Sequence, residues 1–199
     1  MNISRAKAEQ LLDWACEQNP GVWVDHSRVV ARAAETIAIK CNLDIDRAYI
    51  LGLLHDIGRY EGFRELHHIY NGYIFLKNKG YDDIANICLS HSFPCKDIGE
   101  YFGNNDCTKE ETKEIISFLA NITYDDYDRL IQLCDAIGST NGVCLIEVRL
   151  MDVIRRHGTN NLTQKKIEAI YQLKSYFDNL CNMNIYDLFY TEIRDVSFS

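Results

Sequence analysis

The stretch AYILGLLHDIGRY, residues 48–60, decides the fold. Ala48, Leu51 and His55 fall on one face at helical spacing, and Asp56 lies about 100° further round. The spacing predicts a helix over about 46–57, stopped by Gly58. A buried helix that ends in an imidazole and a carboxylate needs an explanation, because an unpaired polar group of either kind is costly to bury.

On both sides of this stretch apolar residues recur at three- and four-residue steps, and no sustained alternation bounded by Asn-Gly or Asp-Gly turns appears. Helices are expected at roughly 3–18, 22–41, 46–57, 65–79, 82–92, 109–120, 124–138, 143–157 and 163–182, with a short one near 185–192. The expected class is all-α, a bundle of about nine helices. It is read as one domain over 1–199, with a core at about 20–140 and a helical extension at about 141–199, since no repeat or linker divides the chain. Gly80 and Gly158, like Gly58, suit helix stops, and Ser4 suits an N-cap. Residues 93–108, FPCKDIGEYFGNNDCT, form the least regular stretch, a loop placed to act as a lid.

Length and composition agree. The 199 residues are ample for a hydrophobic core, and the two prolines, Pro20 and Pro94, leave room for long helices. Acidic residues outnumber basic ones by 29 to 21, and the resulting charge of -8 disfavours an extended nucleic acid or an anionic membrane as partner. A small phosphorylated ligand remains compatible, because local metal ions and arginines override the average field. The N-terminus lacks the apolar region of a secretory signal and no apolar run reaches spanning length. The eight cysteines contain no CxxC pair and read as reduced core thiols in a cytoplasmic protein.

Other ligand-type residues fall on apolar faces. His26 shares a face with Val29, Val30, Ala33 and Ile37. His91 follows Ile84, Ile87 and Cys88, and Asp135 follows Tyr127, Leu130 and Ile131. A lone histidine on such a face is usually a hydrogen-bonded core residue, whereas a buried aspartate is rarer. Their combination points to a divalent metal, which prefers nitrogen and oxygen donors and neutralises the carboxylates. By contrast, the acidic run Tyr124–Asp128 reads as a helix start. Tyr171, Tyr176, Phe177, Tyr186, Phe189 and Tyr190 read as core or as the surface of a homodimer, and His157 as a partner for a helix C-terminus.

An early His26, the HDIG motif of His55, Asp56, Ile57 and Gly58, and a distant Asp135 resemble the HD superfamily of metal-dependent phosphohydrolases over about residues 20–140. The resemblance implies that His26, His55, Asp56 and Asp135 bind one metal and that Asp56 bridges to a second. Dinuclear members carry two further histidines, one in an H-x-x-x-G pattern. Here His68 with Gly72 matches that pattern and His91 matches the other, while His67, the competitor, lacks the glycine spacing. Two ions per chain are implied, iron foremost, with Mn, Mg, Zn, Ni or Co as alternatives. Arg59 stands where related HDIG proteins often have lysine, a cation suited to holding a substrate phosphate, and Arg64 is a second candidate.

Two subfamilies fit less well. The symmetrical dinucleoside tetraphosphatases have a much longer segment than residues 57–67 between the HD pair and the third histidine. The HD-GYP cyclic-dinucleotide phosphodiesterases carry signatures that His91-Ser-Phe-Pro-Cys does not match. The implied reaction is hydrolysis of a phosphomonoester or phosphoanhydride in a nucleotide-like substrate by metal-activated water, with Asp56 and Arg59 as catalytic residues. Two other readings stay open at this level: an oxygen-dependent di-iron enzyme cleaving a C-C or C-P bond, and a non-catalytic nucleotide-sensing module.

Overall fold

The helical periodicity is answered by helices almost throughout. In the computed structural model, which describes residues 3–197, α1 (Arg5–Gln18), α2 (Val22–Cys41), α3 (Ile45–Leu54), α4 (His67–Asn78), α5 (Asp82–Ser90), α6 (Lys109–Asn121), α7 (Asp126–Ile137), α8 (Ile146–His157), α9 (Thr163–Cys181) and α10 (Tyr190–Ser197) follow one another. Between them lie 3-10 turns at Ile57–Glu61, Ile98–Glu100 and Ile185–Phe189. No strand occurs among the described residues, whose isolated bridge pairs Gly138 with Val143. The tenth helix arises because the element expected near 185–192 is a 3-10 turn that runs on into α10.

Caps placed by the sequence delimit several helices. Ser4 caps α1 and Asp44 caps α3. Thr108 with Glu111 and Asp125 with Asp128 form reciprocal capping boxes on α6 and α7, so the acidic run at 124–128 is a helix start. Asn42 ends α2 in the left-handed conformation, and Gly80 and Gly158 have φ of 79° and 77°.

The core is organised around α2, which packs against α3, α7 and α9. Its alanines at 31, 33, 34 and 38 are fully or almost fully buried, and small side chains let neighbouring helices approach closely. At Gly52 of α3 an added Cβ would lie 2.8 Å from the Ala31 Cα. A smaller cluster of Leu66, Ile69, Leu89, Phe93, Ile115 and Leu119 seats α6 on α4 and α5. Phe177 and Phe189 lie in the main core, and none of the six C-terminal aromatics lines the main cavity.

Three expectations need correction. First, α3 ends at Leu54 rather than near 57, so His55 and Asp56 stand in a turn between α3 and the 3-10 turn. His55 Nδ1 donates to the Gly52 carbonyl at 2.7 Å and Cys88 Sγ to the Leu54 carbonyl at 3.6 Å, taking acceptors that another helical turn would use. Second, Gly58 is not a helix stop. It is buried inside the 3-10 turn, where an added Cβ would lie 2.0 Å from the His68 carbonyl and 2.3 Å from the Gly72 amide. Third, not all cysteines are free thiols: Cys41 at the end of α2 and Cys181 at the end of α9 form a disulfide. Their separation of 140 positions hides that proximity from any reading of spacing.

The contact of Gly58 with the start of α4 predicts that Gly58→Ala is destabilised by at least about 2 kcal/mol in chemical denaturation, since neither listener to the new methyl, a carbonyl and an amide, can move without shifting α4. Unchanged stability would contradict this packing.

Candidate metal centre

The HD turn is held by its neighbours at almost every carbonyl. Besides the bonds to Gly52 and Leu54, Asn71 of α4 donates to the Gly58 carbonyl at 2.8 Å, and Asn19 at the end of α1 donates to that of Arg59 at 2.7 Å. On the far side, Ser90 bonds Asp128 at 2.7 Å and Gln132 donates to the Ser90 carbonyl at 3.0 Å. These bonds lock the end of α5, which carries His91, to α7, which carries Asp135. Asp106 caps the start of α4 through the Glu65 and His67 amides, setting the position of His68.

The side chains expected from the sequence meet on this frame. His26 Nε2 lies 2.9 Å from Asp135 Oδ1, and His55 Nε2 lies 3.9 Å from the same oxygen and 4.0 Å from Asp56 Oδ2. Asp56 Oδ1 faces His68 Nε2 at 3.0 Å and His91 Nε2 at 3.5 Å. Donor atoms of His26, His55 and Asp135 lie within 4.8 Å of one another, and so do those of His55, Asp56 and His91. Asp56 thus turns Oδ1 to His68 and His91 and Oδ2 to His55, which also faces Asp135. All four histidines and Asp56 are buried.

Tautomers sharpen this picture. His55, His68 and His91 turn Nδ1 to the backbone carbonyls of Gly52, Glu65 and Ile87, which requires the proton on Nδ1 and leaves a lone pair on Nε2. His55 Nε2 and Asp56 Oδ1 are buried without a hydrogen-bond partner. Lone pairs therefore converge on carboxylate oxygens, an arrangement that calls for a cation. The residues fit a divalent metal on this ground: N and O donors only, two carboxylates to neutralise, and imidazoles pre-oriented by carbonyls.

Charge states agree. Burial would raise the Asp56 carboxyl, but Arg59, then His68 and His55, outweigh it and hold it well below its ordinary value. Burial also opposes ionisation of Asp135, and the hydrogen bond from His26 overcomes it, so that carboxyl too is depressed. Burial lowers His26 and His68, and burial with the neighbouring His55 pushes His91 down to about 3. At neutral pH Asp56 and Asp135 are carboxylates and His26, His68 and His91 neutral imidazoles, the protonation states that metals require.

Arg59 Nε donates to Asp56 Oδ2 at 2.6 Å and its Nη2 lies 3.3 Å from His68 Nε2. Arg59, His26, Asp56, His68, His91 and Asp135 line a cavity of about 840 Å³. Residues 101–103 of the irregular loop form one wall. His67 lies away from the centre, its Nε2 3.5 Å from Glu111. Arg64 is exposed and is not brought to the cavity, although its neighbours Gly62 and Phe63 line it. Sequence reading missed Arg149, Arg156 and Lys166, which also line the cavity from α8 and α9. On the sequence these cations look like a solvated helix face, and only their convergence marks them.

Because the folded-state values of His26, His68 and His91 lie below the 6.5 of a free imidazole, the unfolded chain binds protons first as pH falls. Stability present above pH 6.5 is then lost as pH drops toward the folded values. Denaturation of metal-free protein from pH 8 to pH 5, in steps of about one unit, should show falling stability, with a shallower fall in His91→Gln. Constant or rising stability toward pH 5 would contradict the assignment of buried neutral imidazoles.

The comparisons with known proteins bear on the same residues. No curated protein and no solved structure gives a significant match to the chain. The family model for the HD domain matches residues 23–138, which span the chain from the start of α2 to the end of α7 and contain all of the clustered histidines and aspartates. That match covers more than half of the chain, and the all-helical fold with its buried histidine and aspartate cluster agrees with it: the chain belongs to the HD domain family, whose members are in general metal-dependent hydrolases.

Proposed function

We propose that the protein is a metal-dependent phosphohydrolase acting on a phosphomonoester or phosphoanhydride of a small nucleotide-like molecule. The observation that carries this reading is the convergence of imidazole lone pairs on Asp56 and Asp135 at the floor of a cavity, beside the guanidinium of Arg59. His26, His55, Asp56 and Asp135 would hold one divalent ion, and Asp56, His68 and His91 a second. Bound there, such ions supply the Lewis acidity that activates water and neutralises phosphoryl oxygens.

The remaining tasks fall to the chain itself. Arg59 spends Nε on Asp56 and Nη2 on His68, leaving Nη1 to orient a phosphoryl oxygen from a fixed position. Its backbone is fixed as well, through Asn19. Tyr101 and Phe102 close one wall and limit water beside the reacting group. Trp23 and the exposed Phe63 line the same cavity and offer apolar faces for the ring of a base. Burial pushes Cys144, the cysteine that lines the cavity, up to about 11, so it is a thiol rather than a nucleophilic thiolate at neutral pH. Water is then the natural nucleophile. The cavity volume lies in the range of small-molecule sites, and no helix among the described residues is long and apolar enough to cross a membrane.

Phosphate-release screening of mononucleotides, dinucleoside polyphosphates and cyclic nucleotides, with metal restored, tests the reading. Asp56→Ala should lose turnover together with metal. Arg59→Met should retain metal while KM rises roughly tenfold or more, the cost of one charge-assisted contact. Full activity in Asp56→Ala would end the proposal. Oxygen consumption on an organic substrate with no phosphate release would instead favour the di-iron reading.

A further inference from the structure

The family match ends at residue 138, yet the cavity continues beyond it. Arg149 and Arg156 of α8 and Lys166 of α9 line it, against one further carboxylate, Asp152. In a chain of net charge -8 this local excess of positive charge stands apart from the molecule's average.

Their bonding leaves capacity unused. Arg149 is four-fifths buried, and its one ion pair among the described residues is a loose one, Nη1 to Asp152 at 3.5 Å, while its Nε is buried with no acceptor. Lys166 is almost wholly buried. Its Nζ donates to the carbonyls of Ser92 at 2.8 Å and Glu100 at 3.3 Å, and the Phe102 ring lies 5.0 Å away. Two of its three N–H groups are thereby accounted for. A buried ammonium is expensive unless its charge is answered. The Glu100 side chain answers part of it but is itself fully buried and does not line the cavity. Ser92 directly follows His91, so Lys166 is tethered to the segment that bears a residue of the metal centre. The charge of Arg149 in turn acts on His26.

We infer that Arg149 and Lys166, with Arg156 at the rim, form a second anion subsite that takes a further phosphoryl group of the substrate, beyond the one placed at Asp56 and Arg59. This rests on the phosphohydrolase reading for the first position and deepens it: the substrate class becomes molecules with two phosphoryl groups, rather than monoesters with a neutral remainder. Arg149 and Lys166, whose charges Asp152 and Glu100 answer only in part, with Arg156 paired to Asp152 at 3.0 Å, suit a phosphoryl dianion better than a carboxylate monoanion. The helices C-terminal to the family match thus complete the substrate cavity.

Inorganic phosphate titrated calorimetrically into metal-loaded protein tests the subsite, with acetate in parallel and metal content measured on the same samples. The variants are Arg149→Met and the double change Lys166→Met with Glu100→Gln, which avoids stranding a buried carboxylate. Wild type should bind two phosphates per chain, and each variant should weaken one of them roughly tenfold or more at unchanged metal content, as expected for a lost charge-assisted contact. If the double variant fails to fold, Arg149→Met alone decides. Two undiminished phosphate sites in the variants, a single site in wild type that neither variant affects, or acetate binding tighter than phosphate would overturn the subsite. Loss of the second phosphate in the variants of a protein that hydrolyses no phosphate ester would instead sink the proposed function and leave the subsite standing.

Discussion

The Nε2 lone pairs of His55, His68 and His91 face the carboxylates of Asp56 and Asp135 across 3.0 to 4.0 Å of protein interior. Acceptors brought this close repel unless a cation or a shared proton lies between them, and the shared proton is excluded where Nδ1 already carries it to a carbonyl. The electrostatics of the centre, its position at the floor of a cavity and the role proposed for Arg59 all follow from that constraint. The carboxylates stay ionised in spite of burial because the Arg59 guanidinium beside Asp56 and the His26 hydrogen bond to Asp135 favour their charged form.

Holding such a cluster together requires a stiff backbone, and the two glycines of the motifs supply the closeness. Gly58 of HDIG and Gly72, four residues after His68, touch each other, since a Cβ on Gly58 would lie 2.9 Å from the Gly72 Cα. The 3-10 turn after Asp56 therefore seats directly on α4, and the distance from Asp56 to His68 is fixed by backbone against backbone rather than by flexible side chains. The Gly52 and Leu54 carbonyls at the end of α3 are taken up by His55 and Cys88, and the Gly58 and Arg59 carbonyls of the 3-10 turn by Asn71 and Asn19.

Much of this was legible in the residues alone. The inward faces of His26, His91 and Asp135 follow from helical periodicity, while the preference for His68 over His67 comes from the resemblance to the HD superfamily, whose H-x-x-x-G pattern His68 and Gly72 match; the structure sets His68 against Asp56 and His67 against Glu111. What escaped depends on tertiary contact. The end of α3 at Leu54 is set by the side chains of His55, just beyond it, and of Cys88 in α5 competing for its carbonyls, which periodicity does not register. The disulfide joins residues 140 apart. Arg64 looked suitable by nearness to the motif but is exposed and does not line the cavity that its neighbour Phe63 reaches. Arg149 and Lys166 sit on helices whose charged faces resemble solvated ones, and only the packing of α8 and α9 over the cavity reveals them.

Metal content is the most direct measure of the central claim. Protein purified without oxygen and quantified by elemental analysis should carry two divalent ions per chain, one for the proposed set of His26, His55, Asp56 and Asp135 and one for Asp56, His68 and His91. Less than one ion per chain under those conditions, in folded protein supplied with iron and manganese, would contradict the account.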